Sequence, residues 1–243
     1  MMQHQRPYVL SIAGFDPSAG AGILADCKTF EQHKVYGLGV CSALTVQNDR
    51  AFFSIQWLSA RQIMEQLQPL SFNIIACKIG IIESLQTLLE ITSFLKHRNP
   101  SIKIVWDPVL KASAGYSFHH KIAVHQLEQV LSSIDLITPN FNEWQHLQAI
   151  SSNAFPCAVL LKGGHRPDET GVDTLYENGR EITIPNGIKK ASPKHGSGCV
   201  LSAAITAQLA LGLSLQQACA KSKQYIETFL NSNESLLGYH HLC

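Results

Sequence analysis

The sequence has little charge and no long uninterrupted apolar run. Only 15% of its 243 residues are Asp, Glu, Lys or Arg, and 19 basic side chains nearly balance 18 acidic ones, which gives a net charge of +1. Nucleic-acid-binding proteins usually carry a clear excess of clustered Lys and Arg. No stretch approaches the ~18 consecutive apolar residues of a membrane-spanning helix. The sequence therefore predicts binding to neither nucleic acid nor membrane.

The cysteines form no recognisable metal or disulfide pattern. There are seven of them, an odd number, and no Cys-x-x-Cys pair occurs. Free thiols are typical of a reducing compartment, and the residues before the first predicted strand lack the apolar core of a signal peptide. We therefore expect a cytoplasmic protein with free thiols.

Short apolar runs alternate with longer segments of helical periodicity along most of the chain. The runs predicted as buried strands are residues 8–13, 37–46, 73–79, 103–107, 135–138 and 158–162. The segments predicted as helices are residues 21–34, 61–70, 84–97, 122–132, 142–147, 198–211 and 215–232. Continuous apolar strands separated by helices are typical of a parallel sheet covered on both faces. The sequence thus predicts an α/β fold, a three-layer αβα sandwich with a mostly parallel central sheet, as a single domain over 1–243.

An interruption of this pattern predicts a small β-hairpin insertion near 173–184. Asn178-Gly179 is a hairpin turn signal between two short strand-like segments. In open parallel sheets, ligands bind beyond the carboxyl ends of the strands. We therefore expect the chemistry of this protein to lie just after each predicted strand.

A Gly-x-Gly turn runs directly into the first of the two closing helices. Gly196, Ser197 and Gly198 begin a helix of small residues, so several backbone N–H groups stay unpaired there. These donors and the helix dipole suit an anion such as a transferring phosphoryl group. Cys199 lies in the same first turn, where the field favours thiolate, and could accept a proton from a substrate hydroxyl. The alternative interpretation is a tight turn followed by a small packed cysteine.

A second glycine cluster, residues 14–22, follows the first predicted strand. It is neither a phosphate-binding Walker loop nor a dinucleotide fingerprint, and its glycines would let the backbone approach a compact ligand. Asp26, on the next helix, could project a carboxylate towards that ligand, or could be an exposed acid in a first helical turn. Gln47, at the end of the second strand, offers a donor and an acceptor, or is an ordinary loop amide.

Charged and amide side chains follow three later strands. Asp107 ends one strand, Asn140 and Glu143 come just after the next, and Lys162 ends the last. A nucleotide-bound Mg²⁺ needs one or two carboxylates, which Asp107 and Glu143 could supply, and Lys162 could neutralise phosphate charge. Each residue could equally cap a turn, so their joint placement at strand ends is the stronger signal. We expect the amides at 196–199 to face a pocket shared with residues 14–22 and the end of the second strand.

Together these segments resemble the ribokinase superfamily and, within it, the hydroxymethylpyrimidine/phosphomethylpyrimidine kinases of thiamine biosynthesis. The resemblance is carried, in family order, by residues 11–30, 35–48, 78–80, 106–109, 138–143, 160–165 and 195–205. The cysteine that ends His195-Gly196-Ser197-Gly198-Cys199 is fairly specific, because many superfamily relatives have Asp there. The positions that depart from the usual family residue are Phe15, Ala19, Val46, Asp49 and Ile81. These departures bear on the identity of the substrate more than on phosphoryl transfer.

The resemblance implies a ribokinase-like homodimer that uses ATP and Mg²⁺ to phosphorylate a pyrimidine alcohol and then its monophosphate. The residues it implies for the pyrimidine pocket are Gly14, Asp26, Gln47 and Val109. Those implied for ATP are Asp107, Asn140 and Lys162, with Asp107 and Glu143 serving the metal. Those implied for catalysis are Gly196, Ser197 and Gly198 as an anion hole and Cys199 as the base.

Three other functions are compatible with parts of the pattern. A pyridoxine or pyridoxal kinase of vitamin B6 salvage is the nearest, because some members with this cysteine motif accept such alcohols; Gln47 favours the aminopyrimidine. A non-catalytic pyrimidine-binding protein would be expected to lack Asp107, Lys162 or Cys199, and all three are present. A nucleotide-binding oxidoreductase is disfavoured by the missing dinucleotide fingerprint.

Overall fold

The computed structural model describes residues 6–109, 124–150, 155–165, 171–187 and 191–241. The strands are β1 (Tyr8–Phe15), β2 (Tyr36–Gln47), β3 (Phe52–Trp57), β4 (Ile74–Ile79), β5 (Lys103–Trp106), β6 (Leu136–Ile137), β7 (Ala158–Leu161), β8 (Asp173–Glu177) and β9 (Arg180–Ile184). The helices are α1 (Gly22–Gln32), α2 (Ala60–Leu67), α3 (Leu85–Arg98), α4 (Val124–Ser132), α5 (Phe141–Ile150), α6 (Ser197–Ala210) and α7 (Leu215–Leu230). The predicted start of α4, at 122–123, lies outside the described residues. None of the helices described combines the length and apolar character needed to cross a membrane.

All the described strands belong to one sheet, in the order β3-β2-β1-β4-β5-β6-β7-β8-β9. The central strands from β2 to β7 pair in parallel, whereas β3 is antiparallel to β2 and the β8–β9 hairpin continues antiparallel from β7. The predicted α/β fold with a mostly parallel sheet is confirmed, and so is the hairpin near 173–184, which extends the sheet edge. The single domain over 1–243 stays a prediction.

The two faces of the sheet are covered by different helices. In β5, Ile104 and Trp106 pack into the core formed with α2, α3, α4 and α5, whereas Val105 packs into the core formed with α1, α6 and α7. Successive side chains of a strand point to opposite faces, so both sides of each central strand are apolar. This is why these strands read as continuous apolar runs. The layers place α1 and α6 side by side over the middle of the sheet.

Strand β3 is an element that the sequence analysis missed. It pairs with the second half of β2, from Ala43 opposite Trp57 to Gln47 opposite Phe52. The side chain of Asn48 fixes the connecting turn, because its Oδ1 accepts the N–H groups of Arg50 and Ala51. The strand is a half-exposed edge and not a continuous apolar run, so the search for buried runs passed over it.

Candidate active site

The two glycine segments predicted from the sequence meet through their backbones. Gly196 caps α6 with a φ of +72°, in the left-handed region that favours glycine. A Cβ added there would lie 2.0 Å from the carbonyl oxygen of Gly20 and 2.7 Å from Cα of Ala21. No side chain fits in that space. The start of α6 is therefore in direct contact with the glycine cluster that follows β1, as expected.

A buried carboxylate ties the same two segments together. Asp16 is 1% exposed, and its Oδ2 accepts the N–H of Ala21 at 2.9 Å and lies 2.8 Å from Nε2 of His195. Its Oδ1 accepts the N–H of Ser18. Burial alone would raise the pKa of Asp16, but its hydrogen bonds with His195 and Ser18 hold that pKa below the usual value. The sequence analysis missed the Asp16–His195 pair. The sequence feature that indicates it is an acid within one glycine turn and a histidine directly before the other.

The segment after α7 braces the turn that leads into α6. The ammonium of Lys194 donates to the carbonyl oxygens of Asn233 and Ser235. The backbone N–H of His195 donates to the carbonyl of Leu236 at 2.9 Å. The position of the turn before α6 therefore depends on residues from both ends of the described chain.

Lys162 and Asp107 form an ion pair beside the first turn of α6. Nζ of Lys162 donates to Oδ1 of Asp107 at 2.7 Å, and the Thr138 hydroxyl donates to the same oxygen at 3.1 Å. A Cβ added to Gly198 would lie 3.3 Å from Nζ of Lys162 and 3.7 Å from Oδ2 of Asp107. Burial alone would raise the pKa of Asp107, but the charges of Lys162 and Lys78 hold it below its usual value. Two residues predicted from different strand ends, Asp107 and Lys162, are thus adjacent to Gly198 of the predicted helix start.

Asn140 and Glu143 form a reciprocal cap at the start of α5. The N–H of Asn140 donates to Oε2 of Glu143 at 2.7 Å, and the N–H of Glu143 donates to Oδ1 of Asn140 at 3.0 Å. The backbone N–H of Lys162 donates to the carbonyl of Pro139, so this cap lies next to the end of β7. Burial lowers the pKa of Lys162, but the charges of Asp107 and Glu143 raise it above its usual value. The roles of Asn140 and Glu143 towards ATP and metal stay predictions.

A second lysine–aspartate pair lies fully inside the protein, between β4 and α1. Nζ of Lys78 donates to the two carboxylate oxygens of Asp26 at 2.9 and 3.1 Å, and both side chains are 0% exposed. The Ser11 hydroxyl donates to Asp26 at 2.5 Å. The alternative of an exposed acid in a first helical turn is wrong, because the Asp26 carboxylate is buried against Lys78 and Ser11. Its predicted place in the pyrimidine pocket stays a prediction.

The sequence analysis gave Lys78 no role, although the signal was present. Lys78 lies in an otherwise apolar strand and is opposite Ser11 of β1 in register. Its neighbours Cys77 and Ile79 face the opposite core, so alternation turns Lys78 towards α1 and α6. A lysine in a buried strand requires a buried carboxylate partner, and Asp26 on α1 provides it.

Cys199 is partly buried in the first turn of α6, close enough to the backbone N–H of Gly22 for that group to lower the pKa of its thiol slightly. Burial raises the pKa of the Cys199 thiol above its usual value, and the charge of Lys78 opposes this rise only in part. Desolvation thus opposes the thiolate that the helix start is expected to favour, and the role of Cys199 as base stays a prediction. The helix that carries Cys199 meets the first glycine cluster at its start, where Gly196 lies against Gly20 and Ala21.

The remaining predicted pocket residues lie at the same edge of the sheet. Gly14, near the end of β1, pairs with Ala43, and an added Cβ would lie 2.6 Å from Cδ1 of Ile81. Val109 follows β5, where its N–H donates to the carbonyl of Asp107. Gln47 ends β2 three residues beyond the last pairing with β1, a distance of about 10 Å at ~3.3 Å per residue. Their shared contact with a pyrimidine stays a prediction.

Comparisons with known proteins match this chain to phosphomethylpyrimidine kinases. A family model described as phosphomethylpyrimidine kinase matches residues 16–242. The hydroxymethylpyrimidine/phosphomethylpyrimidine kinase of Haemophilus influenzae is 34% identical over 90% of this chain and 88% of its own length. The crystal structure of a phosphomethylpyrimidine kinase from Clostridium difficile is 33% identical, with a TM-score of 0.74 over 91% of this chain and 98% of that one.

A pyridoxal kinase has a similar fold at lower sequence identity. The Staphylococcus aureus enzyme in complex with ADP superimposes with a TM-score of 0.80 over 94% of this chain and 89% of its own, at 24% identity. That similarity supports the ribokinase-like fold. The family resemblance drawn from the sequence is confirmed by the family model and the more identical relatives. The chain belongs to the phosphomethylpyrimidine kinase family and is a kinase.

Proposed function

We propose that the chain transfers the γ-phosphoryl group of ATP to 4-amino-5-hydroxymethyl-2-methylpyrimidine and then to its monophosphate, in thiamine biosynthesis. The observation that carries the proposal is the convergence of Gly198, Lys162 and Asp107 at the start of α6. An amide-lined turn beside a buried lysine suits the charge that develops on a phosphoryl group. The names of the related kinases, among them the H. influenzae enzyme, supply the pyrimidine and its monophosphate as substrates.

The first turn of α6 supplies the donors for the phosphoryl oxygens. Its first intrahelical bond runs from the N–H of Val200 to the carbonyl of Gly196, so the N–H groups of Ser197, Gly198 and Cys199 precede it. Lys162 adds positive charge beside them. Cys199 receives the proton of the substrate hydroxyl in the first transfer. In the second transfer the nucleophile is an anionic phosphate, for which a base is less necessary.

The carboxylates near Lys162 are suited to a nucleotide-bound Mg²⁺. Among the described residues no group of three or more His, Cys, Asp or Glu is placed to hold a metal ion by itself. Mg²⁺ bound with phosphates needs only one or two carboxylates and keeps several waters, and Asp107 and Glu143 both act on Lys162 electrostatically. These two residues would hold the ion, which when bound neutralises phosphate charge. ATP would further contact Asn140.

The edge beyond β1 supports the predicted homodimer. Phe15, Leu44, Val46 and Phe53 are 39%, 45%, 58% and 67% exposed, and all lie on β1 or on the β2–β3 pair. Exposed apolar side chains on neighbouring strands are typical of interaction sites. We place a second copy of the chain on this surface. Analytical ultracentrifugation of the wild type and of Phe53→Ser would test it, because a monomeric wild type excludes the dimer.

A coupled ADP-release assay tests the catalytic proposal. The pyrimidine alcohol, its monophosphate and pyridoxine are compared side by side with ATP and Mg²⁺. We expect turnover with both pyrimidines and a much lower kcat/KM for pyridoxine. A preference for pyridoxine would overturn the substrate assignment, and activity with the alcohol alone would overturn the second step. The proposed pocket role of Gln47 predicts that Gln47→Leu raises KM for both pyrimidines with little change in kcat.

A further inference from the structure

Two ammonium groups, one partly exposed and one buried, flank the first turn of α6. Lys162 lies on the side of Gly198, where its Nζ would be 3.3 Å from an added Cβ. Lys78 lies on the side of α1 and acts electrostatically on both Cys199 and Asp107. The proposed mechanism uses Lys162 and leaves Lys78 without a role. A fully buried charge is costly to keep, so the surroundings of Lys78 need an explanation.

Three features hold Lys78 in one place. Both carboxylate oxygens of Asp26 accept hydrogen bonds from the Lys78 ammonium, and the Ser11 hydroxyl donates to the same carboxylate. Gly80 leaves room for the ammonium, because a Cβ there would lie 3.1 Å from Nζ. The ammonium has no exposed surface, so it cannot touch phosphate or substrate directly. The Lys78 ammonium can therefore act on a reacting group only through its electric field.

Cys199 lies in the part of α6 that packs over Lys78. Ala76 of β4 and Ala203 of α6 share one buried cluster. Lys78 follows Ala76 by two residues on the same face of the strand, and Cys199 precedes Ala203 by one helical turn. The backbone N–H of Gly22, the first residue of α1, also favours the thiolate. Asp26 lies four residues further along α1, on the same face and one turn away. The Lys78–Asp26 pair therefore acts on Cys199 from β4 and from α1. The ion pair also presents a dipole to the sulfur, with the cation and anion acting in opposite directions.

We propose that Lys78 is a positioning residue for the first phosphoryl transfer, and that its buried ammonium promotes the proton-accepting state of Cys199. This inference rests on the proposed function, because it assigns Lys78 to the step in which a neutral hydroxyl must lose its proton. In that step the hydroxyl proton passes to the Cys199 thiolate while the hydroxyl oxygen bonds to the γ-phosphorus. The bond between that phosphorus and the ADP oxygen breaks, and ADP leaves.

The charged groups that face Cys199 come from four elements. Lys78 on β4 and Lys162 after β7 favour the thiolate, whereas Asp26 on α1 and Asp107 after β5 disfavour it. Removing Lys78 alone should therefore suppress the thiolate, and removing the charge of Asp26 alone should promote it. A purely structural pair would respond in the same direction to both changes. The opposite signs separate the two explanations.

The first experiment measures the rate at which iodoacetamide alkylates Cys199 at pH 7, by mass spectrometry of the peptide that contains it. Lys78→Met should slow alkylation about tenfold, the effect of one pKa unit on a mostly protonated thiol. Asp26→Asn should accelerate it by a similar factor. Lys103→Met, which removes a half-exposed lysine paired with Asp135, is the matched control and should leave the rate unchanged. Equal rates in Asp26→Asn and the wild type would overturn the proposal, even if Lys78→Met does not fold.

The second experiment compares the two phosphorylations. Lys78→Met should lower kcat/KM about tenfold for the pyrimidine alcohol and much less for its monophosphate, whose phosphate nucleophile is already ionised. Equal losses on both substrates would show a structural role and overturn the assignment. The two proposals fail differently. If the wild type phosphorylates neither pyrimidine while the alkylation rates keep their predicted order, the proposed function is wrong and the effect of Lys78 on Cys199 stands.

Discussion

The two lysine–aspartate pairs on either side of the α6 start differ in their access to solvent. Lys78 and Asp26 are both 0% exposed, whereas Lys162 is 14% and Asp107 1% exposed. An accessible ammonium can exchange its carboxylate partner for a phosphate, but a sealed one can act only through its field and through the groups it holds. The same two residue types can thus contact phosphate directly in the accessible pair, whereas in the sealed pair they act only on neighbouring groups.

The largest expected effect is the loss of stability when the sealed pair is broken. Lys78→Met leaves the Asp26 carboxylate buried without its cation, which typically costs about 3–5 kcal/mol. The pKa of Lys78 is held above its usual value by Asp26, although burial opposes this. The stabilisation is therefore complete below the ordinary lysine pKa of about 10.4 and is lost only as pH rises beyond it.

Urea unfolding at pH 7 measures this loss in full. Lys103→Met breaks a half-exposed pair and should change the free energy of unfolding by no more than about 1 kcal/mol. The double variant Lys78→Met/Asp26→Leu removes both charges and should recover most of the loss. If Lys78→Met and Lys103→Met unfold at the same urea concentration, the sealed pair has no special energetic role.

Breaking the accessible pair should act on turnover. Lys162→Met removes charge next to Gly198, where the phosphoryl group is proposed to sit, and losing such a group typically lowers turnover by about 10²–10³-fold. Both phosphorylations should suffer equally, because both are proposed to use the same turn at the start of α6. Steady-state ADP release with each pyrimidine measures the effect. A loss confined to the alcohol would mean that Lys162 resembles Lys78 in its role and that the contrast between the pairs is wrong.

Cys199→Ala should separate the two transfers, since the sealed pair is proposed to act through this sulfur. General-base catalysis typically contributes about 10²–10⁴-fold, so turnover with the alcohol should fall by at least about 10²-fold. The monophosphate reaction should fall by less than about tenfold. Cys157→Ala, at a partly buried thiol outside the site, is the control for removing a sulfur. Near-normal turnover of the alcohol by Cys199→Ala would remove this residue from the mechanism.

The smallest expected difference is in the free energy of unfolding, between a substitution at Gly196 in the turn before α6 and one at Gly212. Gly196→Ala combines a left-handed backbone, which costs about 1–2 kcal/mol, with a clash against the carbonyl of Gly20. Gly212 has a similar φ of +86° but nothing within 4 Å of an added Cβ. Gly212→Ala should therefore show the backbone cost alone, and Gly196→Ala should exceed it by about 1–3 kcal/mol. Equal unfolding free energies would mean that the contact between the glycine segments has no energetic weight.

The sequence predicted the central strands and most helices because both faces of those strands are buried and apolar. The half-exposed β3 was not predicted, because its burial depends on pairing with β2, and that pairing is a tertiary property. At the site, Asp107, Lys162 and Gly198 could be predicted from their positions at strand ends or a helix start. The state of Asp26 could not, because an acid on a helix gives no sign of whether a lysine from another strand will neutralise it. The high pKa of Cys199 likewise depends on packing between α1 and α6.

The brace between the segment after α7 and the turn before α6 has a consequence for biosynthesis. Lys194 and His195 are held by Asn233, Ser235 and Leu236, and the partner turn lies at residues 14–22. A polypeptide still being translated can form β1 early, but the turn before α6 remains unsupported until residues 233–236 have left the ribosome. Phosphotransferase activity would then report that residues 233–236 have been synthesised, and products that stop before them would be inactive.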